Sequence, residues 1–328
     1  MKPTEYFAAS RLLIVAGKGG VGKTVVSAAL ARAAAMAGRS ALIVEVEGKS
    51  GLPRMFGHPE LGYDELVLHK GGGTEGHAEV SARTITPDAA LVEYLEDHGL
   101  SRISKRLVSS GALDIVATAA PGIRDILVLG KVKQLQRSEA ADVIILDAPA
   151  TGHAITFLRS AKGLMDAVKV GPINAQARDV LELLEDHEQC QVLLVTLPEE
   201  TPVNELVETV FSLEDQVGVG LGPTVVNGLY EAYEGLATPA EQAATDADVS
   251  LLDGEAAALD EASEFRRHRI ALQAEQVERL SEQLPLPQLA MPFLFESEIG
   301  PDELDVLARA MLAGIEELDA DLTLGEAS

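Results

Sequence analysis

The sequence predicts an α/β fold with a doubly wound, mostly parallel sheet, and three observations point to it. First, short apolar runs of strand length alternate along the chain with stretches of helical pattern. Second, these runs are rich in β-branched residues and leucine and show no helical stripe, as is typical of strands covered on both faces. Third, 47% of the 328 residues are apolar and 24% are charged, which is the balance of a globular protein.

Seven segments have the pattern of buried strands, and two helices stand out between them. The first strand leads into a glycine-rich loop, after which an alanine-rich helix is predicted over Thr24–Ala37 and ends at Gly38. An amphipathic helix is predicted over Glu264–Gln283, and Pro285 closes it. The predicted strands are Arg11–Ala16, Ser40–Val46, Asp114–Ala117, Asp142–Asp147, Gln191–Thr196, Thr224–Asn227 and Gln288–Met291.

Two stretches interrupt the alternation of strands and helices. Residues 86–137 are mostly helical in pattern, and together with residues 154–187 they predict a helical subdomain inserted beside the sheet. Residues 230–285 predict an acidic helical segment. The glycine-rich stretch Lys70–Gly76 opens no clear helix, so we interpret it as a mobile loop rather than as a phosphate site.

Charge is distributed unevenly along the chain, whose net charge is −26. Residues 1–169 carry 20 Lys and Arg against 18 Asp and Glu, whereas residues 170–328 carry 6 Arg, no Lys and 34 acidic residues. Such a field repels phosphate backbones and anionic lipid, so we expect no binding to nucleic acid or to membrane surfaces. Two explanations of the acidic half stay open, namely solubility in a salty cytoplasm and a docking surface for a basic partner.

Several features indicate the compartment. No apolar run approaches the length of about 18 residues that a membrane span needs. The N-terminus lacks the apolar core of a signal peptide. The single cysteine, Cys190, excludes an intramolecular disulfide and is interpreted as a small buried apolar residue. We therefore expect a cytoplasmic protein without a membrane span.

Residues 17–24, GKGGVGKT, fit the phosphate-loop pattern G-x-x-x-x-G-K-[ST]. A predicted strand enters the loop and a helix leaves it, so backbone N–H groups and the helix dipole point at a bound anion. Lys23 would reach the β- and γ-phosphates, and the Thr24 hydroxyl would ligate Mg²⁺. The loop residues predicted to bind ATP or ADP are Gly17, Lys18, Gly19, Gly20, Val21, Gly22, Lys23 and Thr24.

A second motif, DAPATGH, begins at Asp147 and follows a predicted strand. An aspartate at the carboxyl end of a strand next to the phosphate strand can hold Mg²⁺ through water. With the extra lysine Lys18, this motif resembles the arsenite-pump and tail-anchored-protein-targeting ATPases, dimeric P-loop enzymes whose switch has the form D-x-A-P-T-G-H. Further similar segments, PGI, VTLPEE and VVN, extend the resemblance over most of residues 11–312, in one domain of bacterial type.

The resemblance implies a homodimer, or a heterodimer with a related ATPase, in which Lys18 acts on phosphates held by the other subunit. It also assigns Asn227 and the backbone of Pro292 and Phe293 to the adenine, and it gives His153 a structural role. Residues 1–328 would form a single P-loop ATPase domain that couples nucleotide state to an unknown client or partner. No zinc is expected, because the paired CxxC motifs of the eukaryotic targeting ATPase are absent.

The sequence departs from the family where a D-P-A-H switch supplies the aspartate that orients the attacking water. Glu47 takes that place, and a displacement of about 1 Å in the water can cost on the order of 100-fold in rate. We therefore predict Lys18, Lys23, Glu47 and Asp147 as the catalytic residues of an ATPase that can be slow. The alternative is a nucleotide-sensing regulatory subunit that hydrolyses little ATP and pairs with a related ATPase. A small-molecule kinase would have no role for Lys18, and a partition-type ATPase has a different switch.

Overall fold

A single sheet of eight strands runs through the part of the chain that the computed structural model describes, which is residues 1–46, 51–72, 76–97, 99, 102, 122–149, 153–167, 169 and 171–318. Glu47 and the predicted strand Asp114–Ala117 lie outside these residues. The strands are β1 (Leu12–Gly17), β2 (Ala41–Val46), β3 (Leu66–His69), β4 (Val80–Ile85), β5 (Val143–Asp147), β6 (Cys190–Thr196), β7 (Thr224–Leu229) and β8 (Gln288–Pro292).

The strand order is β3-β4-β2-β5-β1-β6-β7-β8, and β3 alone among these strands runs antiparallel to its neighbour. The first strand, β1, therefore lies in the interior of the sheet between β5 and β6. Because the neighbours of β1 are parallel to it, their carboxyl ends meet at the same edge, where ligands bind in doubly wound folds. The predicted α/β class with a mostly parallel sheet is confirmed.

Eleven helices connect these strands within the described residues. They are α1 (Pro3–Ala9), α2 (Lys23–Met36), α3 (Leu52–Met55), α4 (Pro87–Asp97), α5 (Ile123–Arg137), α6 (His153–Ala167), α7 (Pro172–Leu184), α8 (Glu200–Gln216), α9 (Ala240–Asp246), α10 (Glu255–Gln283) and α11 (Pro301–Glu317).

Two apolar cores cover the two faces of the sheet. Leu12 and Ile14 of β1 pack into the core beneath α5, α6, α7 and α8. Leu13 and Val15 point the other way, into the core beneath α1, α2 and α11. Successive side chains of a strand point to opposite faces, so a strand buried on both sides is apolar throughout. This is why the strand runs lack polar alternation in the sequence.

The structure corrects the sequence analysis at two places. Strands β3 and β4 were not predicted, because β3 (LVLH) has only four residues and β4 (VSARTI) mixes polar with apolar residues. The amphipathic helix predicted from Glu264 begins earlier, at Glu255. Residues 255–263 are rich in alanine and glutamate, which are strong helix formers, and they continue the helix toward its N-terminus.

Helices α4, α5, α6 and α7 pack on one another beside the sheet. Their buried apolar side chains belong to the same core that covers this face of the sheet. That these helices act as a separate subdomain stays a prediction. Across the described residues, none of the helices combines the length and the apolarity that crossing a bilayer requires.

Candidate nucleotide site

The loop between β1 and α2 has the backbone geometry of a phosphate cradle. Gly20 and Gly22 have φ values of 84° and 91°, which side-chain-bearing residues rarely adopt. A Cβ at Gly17 would lie 2.5 Å from the carbonyl oxygen of Val195, and one at Gly22 would collide with the Asn227 amide. Glycine is therefore favoured at all three positions, because a Cβ has no room at Gly17 and Gly22 and because the backbone has a positive φ at Gly20 and Gly22.

Lys23 begins α2 and folds back over this loop. Its Nζ donates a hydrogen bond to the carbonyl oxygen of Lys18 at 2.9 Å. The side chain is buried, and this burial lowers the pKa of Lys23, while the nearby charge of Asp147 opposes the shift. An ammonium group held in this way at the inner side of the loop can neutralise an anion in the cradle.

Asp147 lies at the carboxyl end of β5, directly beside β1, where its register partner is Val15. The Thr24 hydroxyl donates to Oδ2 of Asp147 at 2.7 Å, and the Ser27 hydroxyl donates to Oδ1 at 3.3 Å. The two residues predicted to hold Mg²⁺ are thus adjacent. Ser27 was not predicted, although it follows Thr24 by one helical turn and so shares its face of α2.

The electrostatics of this position are unusual because two carboxylates are buried side by side. Burial raises the pKa of Asp147 to about 6, against the hydrogen bonds from Thr24 and Ser27, and the charge of Glu45 raises it further. Glu45 is the register partner of Asp147 in β2 and accepts a hydrogen bond from Thr84 at 3.2 Å. Carboxylate and hydroxyl oxygens are ligands of hard cations, so these residues fit a magnesium ion. The sequence feature that could have identified Glu45 is its position as a charged residue within an otherwise apolar strand.

Lys18 lies on the rim of the loop rather than inside it. Its Nζ is 3.1 Å from Oε1 of Glu205 on α8, and the two side chains are 41% and 34% exposed. Lys18 therefore differs from Lys23 in that its ammonium group faces solvent and is held by an exposed ion pair.

The residues assigned to adenine lie at the ends of β7 and β8. The Asn227 amide donates to the carbonyl oxygen of Val21 at 2.9 Å, which joins β7 to the phosphate loop. Phe293 follows Pro292, and its N–H donates to Leu229 at 2.7 Å, so this backbone donor is engaged within the protein.

The Phe293 ring packs against two aromatic residues that the sequence analysis missed. Its centroid lies 5.1 Å from that of Tyr230 and 4.8 Å from that of Phe295. The chain has only seven Phe and five Tyr, so aromatic residues that closely follow two strands were the sequence signal for this cluster.

The structure thus brings together Lys23, Thr24, Asp147 and Asn227. Glu47 lies outside the described residues, and His153 is the first residue of α6.

The chain is similar to known proteins over most of its length. The family model of the anion-transporting ATPases matches residues 10–171, which include the phosphate loop and Asp147. ATPase BagA of Mycobacterium tuberculosis is 36% identical over 302 residues, which span 86% of this chain and 87% of the relative.

Two further relatives are more distant or cover less. A protein of Halobacterium salinarum named as an arsenical pump-driving ATPase is 26% identical over 314 residues, 90% of this chain and 43% of its own length. ATPase get3 of Schizosaccharomyces japonicus is 31% identical over 146 residues, 44% of this chain and 42% of its own. Because the family model matches residues 10–171 and the similarity to BagA extends over most of both chains, the chain belongs to the anion-transporting ATPase family.

Proposed function

We propose that this ATPase binds and hydrolyses Mg²⁺-ATP as a dimeric switch, and that it couples its nucleotide state to a partner or client protein. The observation that carries the proposal is the cluster of Lys23, Thr24 and Asp147 around the glycine loop, with Lys18 exposed on its rim. Buried groups at the inner side of the loop suit phosphate and metal binding, whereas an exposed lysine suits contact with another subunit.

In this proposal each group has one task. The backbone of residues 17–24 and the Lys23 ammonium hold the outer phosphates. Thr24 would hold Mg²⁺ directly and Asp147 through water, and Glu45 adds negative charge beside them. When bound, the ion neutralises charge on the phosphoryl group that is transferred.

The remaining predicted residues lie around this centre. Lys18 of one subunit would stabilise charge on the phosphates of the other, as an arginine finger does. Asn227, Pro292 and Phe293 would lie against the adenine, and Glu47 would orient the attacking water.

Complementation between two inactive variants tests the dimer and the role of Lys18 together. Lys18→Ala should bind ATP but not hydrolyse it, and Lys23→Ala should lose ATP binding. If Lys18 acts across the interface, a mixture of both proteins forms one complete site, with Lys23 from one chain and Lys18 from the other. Phosphate release should then return in the mixture.

The complementation has a matched control and a clear contrary outcome. Lys70→Ala removes the same charge from an exposed lysine outside the loop and should leave turnover unchanged. A mixture that stays inactive, although both variants bind to wild-type chains, would show that Lys18 acts within its own subunit.

The magnesium assignment is tested separately. Asp147→Asn and Thr24→Ala should shift the Mg²⁺ concentration that gives half-maximal phosphate release to higher values. Asp142→Asn is the matched control, because Asp142 precedes the same strand at its opposite end and bonds to Ser40 there. An unchanged Mg²⁺ response in Asp147→Asn would contradict the assignment.

Glu47 favours a second candidate function, a nucleotide-sensing subunit that hydrolyses little ATP beside a related active ATPase. Steady-state phosphate release by the chain alone and in the presence of a related ATPase separates the two candidates. Turnover that is absent under both conditions, with ATP still bound, supports the sensor.

A further inference from the structure

The long helix α10 and the segments beside it expose large apolar side chains. All 29 residues of α10 are described, and of these only Gln273 and Leu280 are buried. Leu259 and Phe265 on its first half are 49% and 61% exposed. The first half of the helix is therefore packed only lightly against the rest of the protein, and its apolar residues face water.

These side chains line one groove, which we call the aromatic groove. Its walls include Tyr230, Tyr233, Leu259, Phe265 and Phe295, and its volume is about 640 Å³. The groove joins residues from the segment after β7, from α10 and from the segment after β8. Exposed apolar surface that forms a continuous concave patch is typical of an interaction site.

Arg266 holds the aromatic rings of the groove in place. Its guanidinium lies 4.2 Å from the ring centroid of Tyr233 and 4.9 Å from that of Phe295. It also donates two hydrogen bonds to the carbonyl oxygen of Glu231, at 3.1 and 2.8 Å. The rings are thus held in place by stacking and hydrogen bonding, so a ligand need not order them.

The surroundings of the aromatic groove are strongly acidic. Its lining holds one acidic residue, Glu261, and one cation, Arg266, which the rings and the Glu231 carbonyl already engage. Residues 230–270 carry ten acidic residues against three Arg, so this part of the chain is acidic even with Arg266 counted. A complementary ligand therefore has apolar groups for the rings and positive charge for the rim.

Charge also distinguishes among the occupants that the groove could take. At the groove, a second copy of the chain would set one acidic segment against another, whereas the dimer proposed above closes over the phosphate loop, which lies in the nearly neutral half of the chain. Anionic membranes would be repelled for the same reason. The acidic rim favours a basic partner over both.

We propose that the aromatic groove binds an amphipathic segment of another protein, with apolar side chains on one face and Lys or Arg on the other. The proposal rests on the proposed function in that it specifies the chemical character of the partner named there. Docking in the groove, however, does not require ATP hydrolysis. The test therefore separates the two, because the peptide is measured without nucleotide.

The probe is a fluorescein-labelled synthetic peptide of about 18 residues, or five helical turns, with Leu and Phe on one face and Lys on the other. Fluorescence anisotropy should show saturable binding to the full chain. Phe265→Ser and Leu259→Ser should each weaken binding at least about fivefold, as removal of a central apolar contact does. Glu261→Lys should also weaken it.

Two matched variants control for general surface effects. Phe211→Ser removes a comparably exposed phenylalanine, 54% exposed, from α8. Leu272→Ser removes an exposed leucine from α10 outside the groove. Both should leave peptide affinity unchanged, and unchanged ATP affinity in all variants verifies the fold.

Three results would overturn the proposal. The first is equal binding of a peptide with the same composition in scrambled order, since this would reveal only nonspecific attraction between charges. The second is peptide affinity that Phe265→Ser and Leu259→Ser leave unchanged. The third is self-association, measured by light scattering, that Phe265→Ser abolishes, because this would make a second copy the occupant.

Discussion

Single residues from three parallel strands meet beside the phosphate loop. Asp147 accepts hydrogen bonds from Thr24 and Ser27, and Glu45 lies next to it in the neighbouring strand. Asn227 reaches the loop from β7 and bonds to Val21. Because the charge of Glu45 raises the pKa of Asp147, removing that charge by Glu45→Gln is expected to change how Asp147 binds a cation.

At the same scale, Glu47 is predicted to position the attacking water. Glu47→Gln should keep ATP affinity and lower turnover at least about tenfold, a loss of about 1.4 kcal/mol of transition-state stabilisation. Glu47→Asp should preserve or raise the rate, because the shorter side chain restores the carboxylate position of the family. Calorimetry and phosphate release measure the two effects.

An unchanged rate in Glu47→Gln would make Glu47 a surface acid. Glu45→Gln is then the next variant, since Glu45 is buried beside Asp147.

At the scale of elements, two helices fix the position of the loop from opposite sides. On one side, α8 carries Glu205, which pairs with Lys18. On the other, α11 packs on α2, the helix that the loop opens, through Arg32 and Asp305, whose Nε and Oδ1 are 2.6 Å apart. His69 of β3 accepts a further hydrogen bond from Arg32 at 2.9 Å.

The ion pair with Glu205 should hold Lys18 back within its own subunit. Glu205→Gln should therefore raise the fraction of dimer formed with ATP, by up to about fivefold, because an exposed pair contributes at most about 1 kcal/mol. Light scattering at fixed protein concentration measures the effect. Glu208→Gln on the same helix is the matched control, and the gain should vanish in Lys18→Ala.

The contact of His69 with Arg32 should make stability depend on pH. Burial lowers the pKa of His69, the charges of Arg32 and His77 lower it further, and Asp305 opposes the shift. The unfolded chain then binds the proton more readily, so the stabilising contribution is present above about pH 6.5 and is lost as the pH falls through the folded pKa.

Urea unfolding between about pH 7 and pH 5 checks this dependence of the histidine. His69→Gln retains a hydrogen-bond acceptor for Arg32 but does not titrate, so its stability should fall less than that of the wild type. His268→Gln, at an exposed position of α10, should follow the wild type. Equal slopes for His69→Gln and wild type would contradict the prediction.

At the scale of the whole molecule, the two halves of the chain differ in net charge. Residues 1–169 have a net charge of +2, while residues 170–328 have a net charge of −28, which together give −26 for the chain. The acidic half supplies β6, β7, β8 and the aromatic groove, whereas the phosphate loop and Asp147 belong to the neutral half. An anionic nucleotide therefore binds, in the proposed function, where the chain repels it least.

This charge should make unfolding sensitive to salt. Raising NaCl from about 0.05 to about 0.5 M should raise the unfolding temperature, because screening weakens repulsion among the acidic residues. A variant with Glu234→Gln, Glu241→Gln and Asp253→Asn should show a smaller rise in calorimetry. A rise of equal size in that variant would mean that these acids do not contribute.

The sequence alone predicted the α/β class, which the structure confirms, and it singled out the phosphate-loop motif, Lys18 and Asp147 as candidate site residues. These features are local, since a strand, a glycine loop and a helix follow one another within residues 12–36, and DAPATGH is contiguous. Pattern and spacing are sufficient to recognise such features.

Only the tertiary structure decided which distant residues complete the site. Glu45 meets Asp147, Glu205 meets Lys18 and Asn227 meets Val21 because of the order in which the strands pair. The aromatic groove likewise joins segments that are far apart in sequence. Strand order depends on how whole faces pack, and periodicity within one segment carries no information about the neighbour that the segment will have.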